Sequence, residues 1–321
     1  MTGIGSIAAT LGKIFGLIIA GYALFQIKLL ARRTDLFLKI ILNVFFPIYF
    51  IHNLSTGWDG AMSAGWYWMA VFFFSCCLMI GGQYLIAKLL VRKVSLFQTP
   101  FPRELMILTA VHNAGYIPLP VIQAIAPQVI SIYLFFYFLA FNLIFWSVTV
   151  SALSGGGKGR FVFKVNMPLI GLFTGIAVAA SGIYGLVPGF IQTVFSYCGD
   201  IALYGVLVLL GAILATIPLS EIRFNSLFAW FVVFRMLIYP ALFLAAFVFV
   251  SFRSLSAEMG RAMKMALVLE AAVPPATNIL IAARAFGNRE QEVFIGNGII
   301  HTYAASVITL PVFLLLSNLI Y

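Results

Sequence analysis

Charge is what this 321-residue chain has least of: Asp, Glu, Lys and Arg together make up 9% of it, where a soluble domain carries about 25%. Acid is scarcest, with nine Asp and Glu against nineteen Lys and Arg. With 63% hydrophobic residues and a mean hydropathy of +1.09, a soluble fold would lack the polar surface to cover itself. A cytosolic enzyme, a secreted domain and a nucleic-acid-binding module are excluded on that ground. Cysteine is rare too. Cys76, Cys77 and Cys198 have no metal-ligand spacing, and adjacent cysteines rarely bridge, so they read as polarizable packing groups. His52, His112 and His301 are far apart and no H-E-x-x-H occurs, which removes a zinc protease. There is no G-x-x-x-x-G-K-[ST], so ATP is not expected to drive anything in this chain. No nucleophile–base constellation stands out, and neither an enzyme nor a cofactor is expected. The N-terminus shows no basic region ahead of its apolar run, hence no cleavable-signal pattern.

What the sequence has is long apolar runs. A spanning helix needs about 20 apolar residues, and breaks at charge clusters, Gly and Pro predict ten spans: 5–26, 35–54, 65–88, 104–126, 129–151, 165–183, 190–216, 226–251, 262–286 and 293–317. Runs such as Ala241–Val250 do not alternate, so these are helices and not barrel strands. Lys and Arg gather on alternate connections. The first carries Lys28, Arg32, Arg33 and Lys39, the third Lys88, Arg92, Lys93 and Arg103, and the fifth Lys158, Arg160 and Lys164. The seventh has Arg223 and the ninth Arg284 and Arg289, while Arg253, Arg261 and Lys264 on the eighth run against the trend. The bias predicts odd connections on the cytoplasmic side of the inner or plasma membrane and both termini outside. The net charge of +10 is therefore mostly topology.

The Gly-rich, basic stretch Ser151–Arg160 divides the spans five and five. An odd number per half forces opposite orientations, so residues 1–151 and 165–321 are expected as two halves of an inverted repeat joined by a cytoplasmic linker at 152–164. The fourth span of each half is interrupted, by Pro118 and Pro120 in the first and by Pro274 and Pro275 in the second. The first span of each half places a Gly after an apolar run, Gly21 and Gly175. Proline removes a helix hydrogen bond and frees the carbonyl four residues earlier: here those of Ala114 and Tyr116, and of Glu270 and Ala271. Such breaks must lie inside protein or line a watery cavity. They also expose half-helix ends, whose N–H groups attract anions and whose carbonyls attract cations. His112, Asn113 and Gly115 flank the first break, and Glu270, Thr277 and Asn278 the second. A pair of merely kinked helices is the plainer alternative.

At these residues the sequence resembles the auxin efflux carrier family, which includes plant auxin exporters and bacterial malate and malonate carriers. The family's N-x-G-F-x-G-x-P is matched by Asn113-Ala114-Gly115-Tyr116-Ile117-Pro118-Leu119-Pro120. Its ninth-span run of small residues and prolines is matched by Ala271-Ala272-Val273-Pro274-Pro275-Ala276, followed by Ala283 through Gly287. Thr309-Leu310-Pro311 matches the closing T-L-P, and Pro47 through His52 the second span's P-x-x-x-x-H. Pro118 stands where Gly is usual, and Tyr204 where the seventh span often has Pro. The resemblance covers essentially the whole chain. It implies an all-α fold like that of bile-acid symporters and sodium/proton antiporters. Helices 1, 2, 6 and 7 would form a scaffold, and helices 3–5 and 8–10 a transport domain that moves like an elevator. Broken helices 4 and 9 would cross beside the substrate, with Asn113, Pro120 and Pro274 carried over from the family's crossover.

A charge at mid-bilayer costs about 2.5–3.5 kcal/mol, so each one needs a reason. Glu270 lies four residues before the second break and is similar to the Glu beside which bile-acid symporters form a sodium site. Coupling to Na+ or H+ and a structural hydrogen-bonding role both stay open for it. Asp200, early in the seventh span, is either a second coupling group, an interfacial residue or half of an ion pair. Arg235 offers a fork of donors to a carboxylate substrate or to an internal acid partner. Lys13 reads as a snorkelling lysine and His301 as a packing residue. Asn43 faces either the cavity or another helix. The expected substrate-contacting set is Asn43, His112, Asn113, Gly115, Pro118, Pro120, Pro274, Pro275, Thr277 and Asn278. The function expected is secondary active transport of a small organic anion. A sodium-coupled bile-acid-like symporter and a ligand-sensing receptor on the same fold are the alternatives. Expected partners are the anion and membrane lipid, with a homodimer left open and no nucleic acid.

Overall fold

The computed structural model describes residues 4–27, 30, 32–153, 166–250, 252 and 255–321. Lys28, Arg253 and all but the first two residues of the 152–164 linker, with Lys158, Arg160 and Lys164, lie outside the described residues. The described chain is all-α. Its helices are α1 (Ile4–Leu24), α2 (Thr34–Gly65), α3 (Tyr67–Lys93), α4 (Pro102–Ala110), α5 (Pro118–Ile125), α6 (Gln128–Leu153), α7 (Met167–Ser181), α8 (Gly189–Ala215), α9 (Ser226–Val248), α10 (Ala257–Ala272), α11 (Asn278–Phe286) and α12 (Arg289–Ile320). Seven of them, α1, α2, α3, α6, α8, α9 and α12, are long and apolar enough to cross a membrane. This is a multi-pass helical membrane protein.

Seven candidates stand against ten expected spans, and the difference has a physical source. The expected spans at 104–126 and 262–286 are each two short helices separated by non-helical chain. The expected span at 165–183 is α7, whose 15 residues fall short of the roughly 20 that a bilayer asks for. Caps fix the boundaries where the chain leaves the apolar phase. Asn166, Asn225 and Ser256 accept from the backbone at the starts of α7, α9 and α10, and Asn288 with Gln291 forms a full capping box at α12.

Two helices carry a proline-linked defect of the same form. In α2 a π-helical segment spans Ile41–Phe45 ahead of Pro47, and in α9 one spans Phe234–Ile238 ahead of Pro240. A proline ring displaces the carbonyl four residues back. Those are the carbonyls of Asn43 and Met236, each inside its π segment, so the wide turn absorbs the clash.

Packing follows the small residues. Helix α1 lies along α8, and α2 lies along α7 and α8, while α3 packs on α4 and α6 and α10 packs on α12. At the α1–α8 contact a side-chain carbon on Gly21 would strike the backbone of Val208, and one on Gly211 the backbone of Ile18 and Tyr22. In lipid, where apolar burial does not separate helix from tail, such close backbone approach is what draws helices together. Gly21→Val and Gly211→Val should therefore each lower stability by about 1–3 kcal/mol, the overpacking range. Gly12→Val and Gly16→Val on the same helix, where nothing lies within 4 Å of the added carbon, should leave the detergent melting temperature unchanged.

Candidate functional site

The two interruptions meet. Residues 111–117 separate α4 from α5, and residues 273–277 separate α10 from α11. Extended chain at His112 pairs antiparallel with Pro275. The Asn113 N–H donates to the Pro274 carbonyl at 2.9 Å, and the Ala276 N–H to the Val111 carbonyl at 3.0 Å. Each break thus satisfies backbone groups that lipid would leave unpaired. The prolines stand at interruptions of the two spans and do not kink continuous helices, the plainer alternative. Pro118 is the first residue of α5 and Pro120 lies in its first turn, where no donor is needed. Pro274 and Pro275 lie in the extended link.

The carbonyls left at the ends of α4 and α10 are closed from the side, by one long polar residue each. With its amide nitrogen turned toward α4, Gln83 of α3 donates to the carbonyls of Thr109 and Ala110, both at 2.9 Å, and its oxygen accepts from the Tyr239 hydroxyl at 3.2 Å. Arg235 of α9 donates to the carbonyls of Ala271 at 2.7 Å and Val273 at 2.8 Å. Its guanidinium also lies 5.7 Å from the Tyr239 ring, within cation–π range. Tyr239 therefore links the two caps.

Beside them is a sealed acid. Glu270, His112 and Arg235 are each 0% exposed. Neither carboxylate oxygen of Glu270 has a hydrogen-bond partner. Its nearest basic atom is His112 Nε2, 3.5 Å from Oε2. That same Nε2 lies 2.6 Å from the Tyr137 hydroxyl, which is 3.1 Å from Met79 Sδ. No ion pair within 4.0 Å joins Arg235 to Glu270. The two terminal nitrogens of Arg235 are thus spent on carbonyls, and its Nε is buried without a hydrogen-bond partner.

On the other side of the crossing, Asn113 donates to the Tyr303 hydroxyl at 2.8 Å and accepts from the Tyr116 N–H at 3.0 Å. The Tyr116 hydroxyl and the Asn278 amide are 3.4 Å apart. A side-chain carbon on Gly115 would meet the Phe138 ring at 2.5 Å. The Thr277 hydroxyl is buried without a partner, and Asn278 is half-buried. The Tyr116 ring packs edge-on to Phe46 of α2, so this edge of the crossing faces the α2–α7 pair.

The crossing collects His112, Asn113, Gly115, Pro118, Pro120, Glu270, Pro274, Pro275, Thr277 and Asn278 from the expected residues, with Arg235 alongside. It does not collect Asn43, which is exposed on a segment packed against α7 and α8. Nor does it collect Asp200, exposed on α8. Lys13 places its ammonium 3.5 Å from the centre of the Tyr204 ring. His301 stacks on Phe228 and bonds the Asn297 carbonyl through Nδ1 at 2.7 Å. The sequence reading missed Gln83, Tyr137, Tyr239 and Tyr303. Their one signal is a lone polar group inside an apolar run.

Two cavities lie at the far ends of the broken helix pairs, and no residue of the crossing lines either of them. One, of about 890 Å³, opens where α4, α9 and α12 begin, beside Arg223, Asn225 and Arg289. Another, of about 510 Å³, lies between the end of α5 and the start of α10, beside Glu258, Arg261 and Tyr321. The α4–α5 pair runs from the first toward the second, and α10–α11 runs back. Around the first, Arg289 is held by Glu221 at 2.5 Å and Glu292 at 2.9 Å. Among the described residues no three His, Cys, Asp or Glu side chains gather into a metal-binding group. No protein-family model matches the chain, and no curated protein does either.

Proposed function

We propose that the chain is a secondary active transporter of the auxin efflux carrier type that moves a small organic anion across the cytoplasmic membrane. The observation that carries this reading is the crossing itself: two oppositely running, broken helix pairs that complete each other's backbone bonds inside the bundle. Broken helices at corresponding positions of two halves are where transporters hold their cargo. Counting each broken pair and α7 as one span gives ten spans in an inverted five-plus-five arrangement. The packing of α1 on α8 and α2 on α7 supports a scaffold of those four helices, with the rest moving as an elevator. The cargo site lies on the edge at Tyr116, Thr277 and Asn278, where the N-terminus of α11 faces an anion. The start of α5 contributes no free donor, since Pro118 and Pro120 have no N–H and those of Leu119 and Val121 are held by the Gly115 and Ile117 carbonyls. Charge compensation falls to Glu270. By the basic bias, the cavity at Arg223 and Arg289 opens to the cytoplasm and both termini lie outside.

The experiment is uptake of a panel of mono- and dicarboxylates into proteoliposomes under imposed proton and sodium gradients. At least one carboxylate should accumulate while its neutral amide analogue stays outside. Equal uptake of acid and amide would remove the anion assignment.

A further inference from the structure

We infer that Arg235 is a tethered cation that fills the place a coupling sodium ion would take at the second break, so that the transporter proposed above works without sodium. The inference rests on that reading for the word coupling, and on the geometry for the rest. The carbonyls of Ala271 and Val273 end a half-helix, where the partial negative charge of the helix concentrates. Glu270, one residue before them, adds a carboxylate with neither oxygen hydrogen-bonded. Unwound carbonyls and half-helix C-terminal ends are where transporters coordinate coupling cations, and the Glu270 carboxylate adds negative charge beside them. Here those two carbonyls are already held at 2.7 and 2.8 Å by the two terminal nitrogens of one fully buried guanidinium.

The first break supplies the internal control. There the same job, closing two terminal carbonyls, is done by the neutral amide of Gln83. No carboxylate precedes that end: the residues before its carbonyls are Ile107 and Leu108. A cation is present at the break that contains an acid, and a neutral donor at the break that does not. The π segment at Phe234–Ile238 places Arg235 where the helix winding is widened. Being covalently attached, the charge is always present and answers to no sodium gradient.

The test uses the purified full-length protein in detergent, with melting temperature and ²²Na+ binding read in sodium, potassium and choline chloride at equal ionic strength. Wild type should bind no ²²Na+ and melt at the same temperature in all three. Arg235→Ala should melt lower, and low-millimolar guanidinium should restore most of that loss where choline does not. Arg235→Gln, which vacates the charge and keeps a donor, should gain a sodium-specific rise of about 3–5 °C at saturation. Sodium-specific stabilisation of wild type would overturn the proposal. So would the absence of both guanidinium rescue in Arg235→Ala and a sodium response in Arg235→Gln. If Arg235→Ala does not fold, wild type and Arg235→Gln decide the matter alone. None of these readouts is flux, so their failure leaves anion transport standing, and absent flux leaves them standing.

Discussion

Glu270→Gln should leave the protein folded and should abolish uphill accumulation of the transported anion. The first half of this follows from burial. An ionised carboxylate without hydrogen-bond donors is expensive away from water, and a neutral amide of the same size relieves that expense. Glu270 has no hydrogen-bond partner and its nearest basic atom is His112 Nε2 at 3.5 Å, so the amide breaks no hydrogen bond, and the attraction to His112 and Arg235 that it gives up offsets only part of that relief. The second half follows from charge. A proton carried down a gradient of 1 pH unit supplies about 1.4 kcal/mol, a tenfold accumulation ratio. A side chain that cannot change charge forfeits that factor, and the ratio should fall to about one while downhill exchange persists. A fall in melting temperature with full accumulation would mean that Glu270 is structural.

Asn113→Ala should be the more damaging change, lowering stability and ending flux in both directions. Its side chain holds three parts of the crossing together: the first break, the Tyr116 turn and Tyr303 of α12. Removing it leaves the Tyr116 N–H and the Tyr303 hydroxyl buried and unpaired, at about 1–3 kcal/mol each. Tyr303→Phe removes one of those bonds and no more, and should keep measurable flux. If Asn113→Ala melts well below wild type yet transports at the wild-type rate, the first break has no part in carrying the anion.

How much of this was legible in the sequence depended on where polarity was rare enough to be noticed. The double prolines, with Asn113 and Gly115 beside the first and Asn278 beside the second, marked both breaks, because lipid tolerates such residues only where other protein completes the backbone. Facing was not legible. In a soluble helix the apolar stripe tells which side is inside, but in lipid every side is apolar, and Asn43 and Asp200 gave no sign that they point outward. Their exposure comes from which face of α2 and α8 packs on α7 and α1. The partners of the breaks were hidden for another reason. Gln83, Tyr137, Arg235 and Tyr303 reach the crossing from α3, α6, α9 and α12 across long stretches of sequence. Arg235 was visible as a buried charge, but its targets are backbone carbonyls, which no side-chain pattern reveals. The prolines marked interruptions of two spans, with simple kinks in continuous helices as the plainer alternative. The chain leaves the helix for several residues at each break, which is possible only because the other break is there to pair with it.

The most direct measurement of the central claim is solute counterflow. Proteoliposomes are loaded with the carboxylate selected by the uptake panel and diluted into a trace of the same compound carrying a label. A transporter with alternating access should draw the label inward to many molecules per protein copy before it decays, with no ion gradient imposed. Label that never exceeds one molecule per protein copy would contradict the account and point to a ligand-sensing receptor built on the same crossed helices.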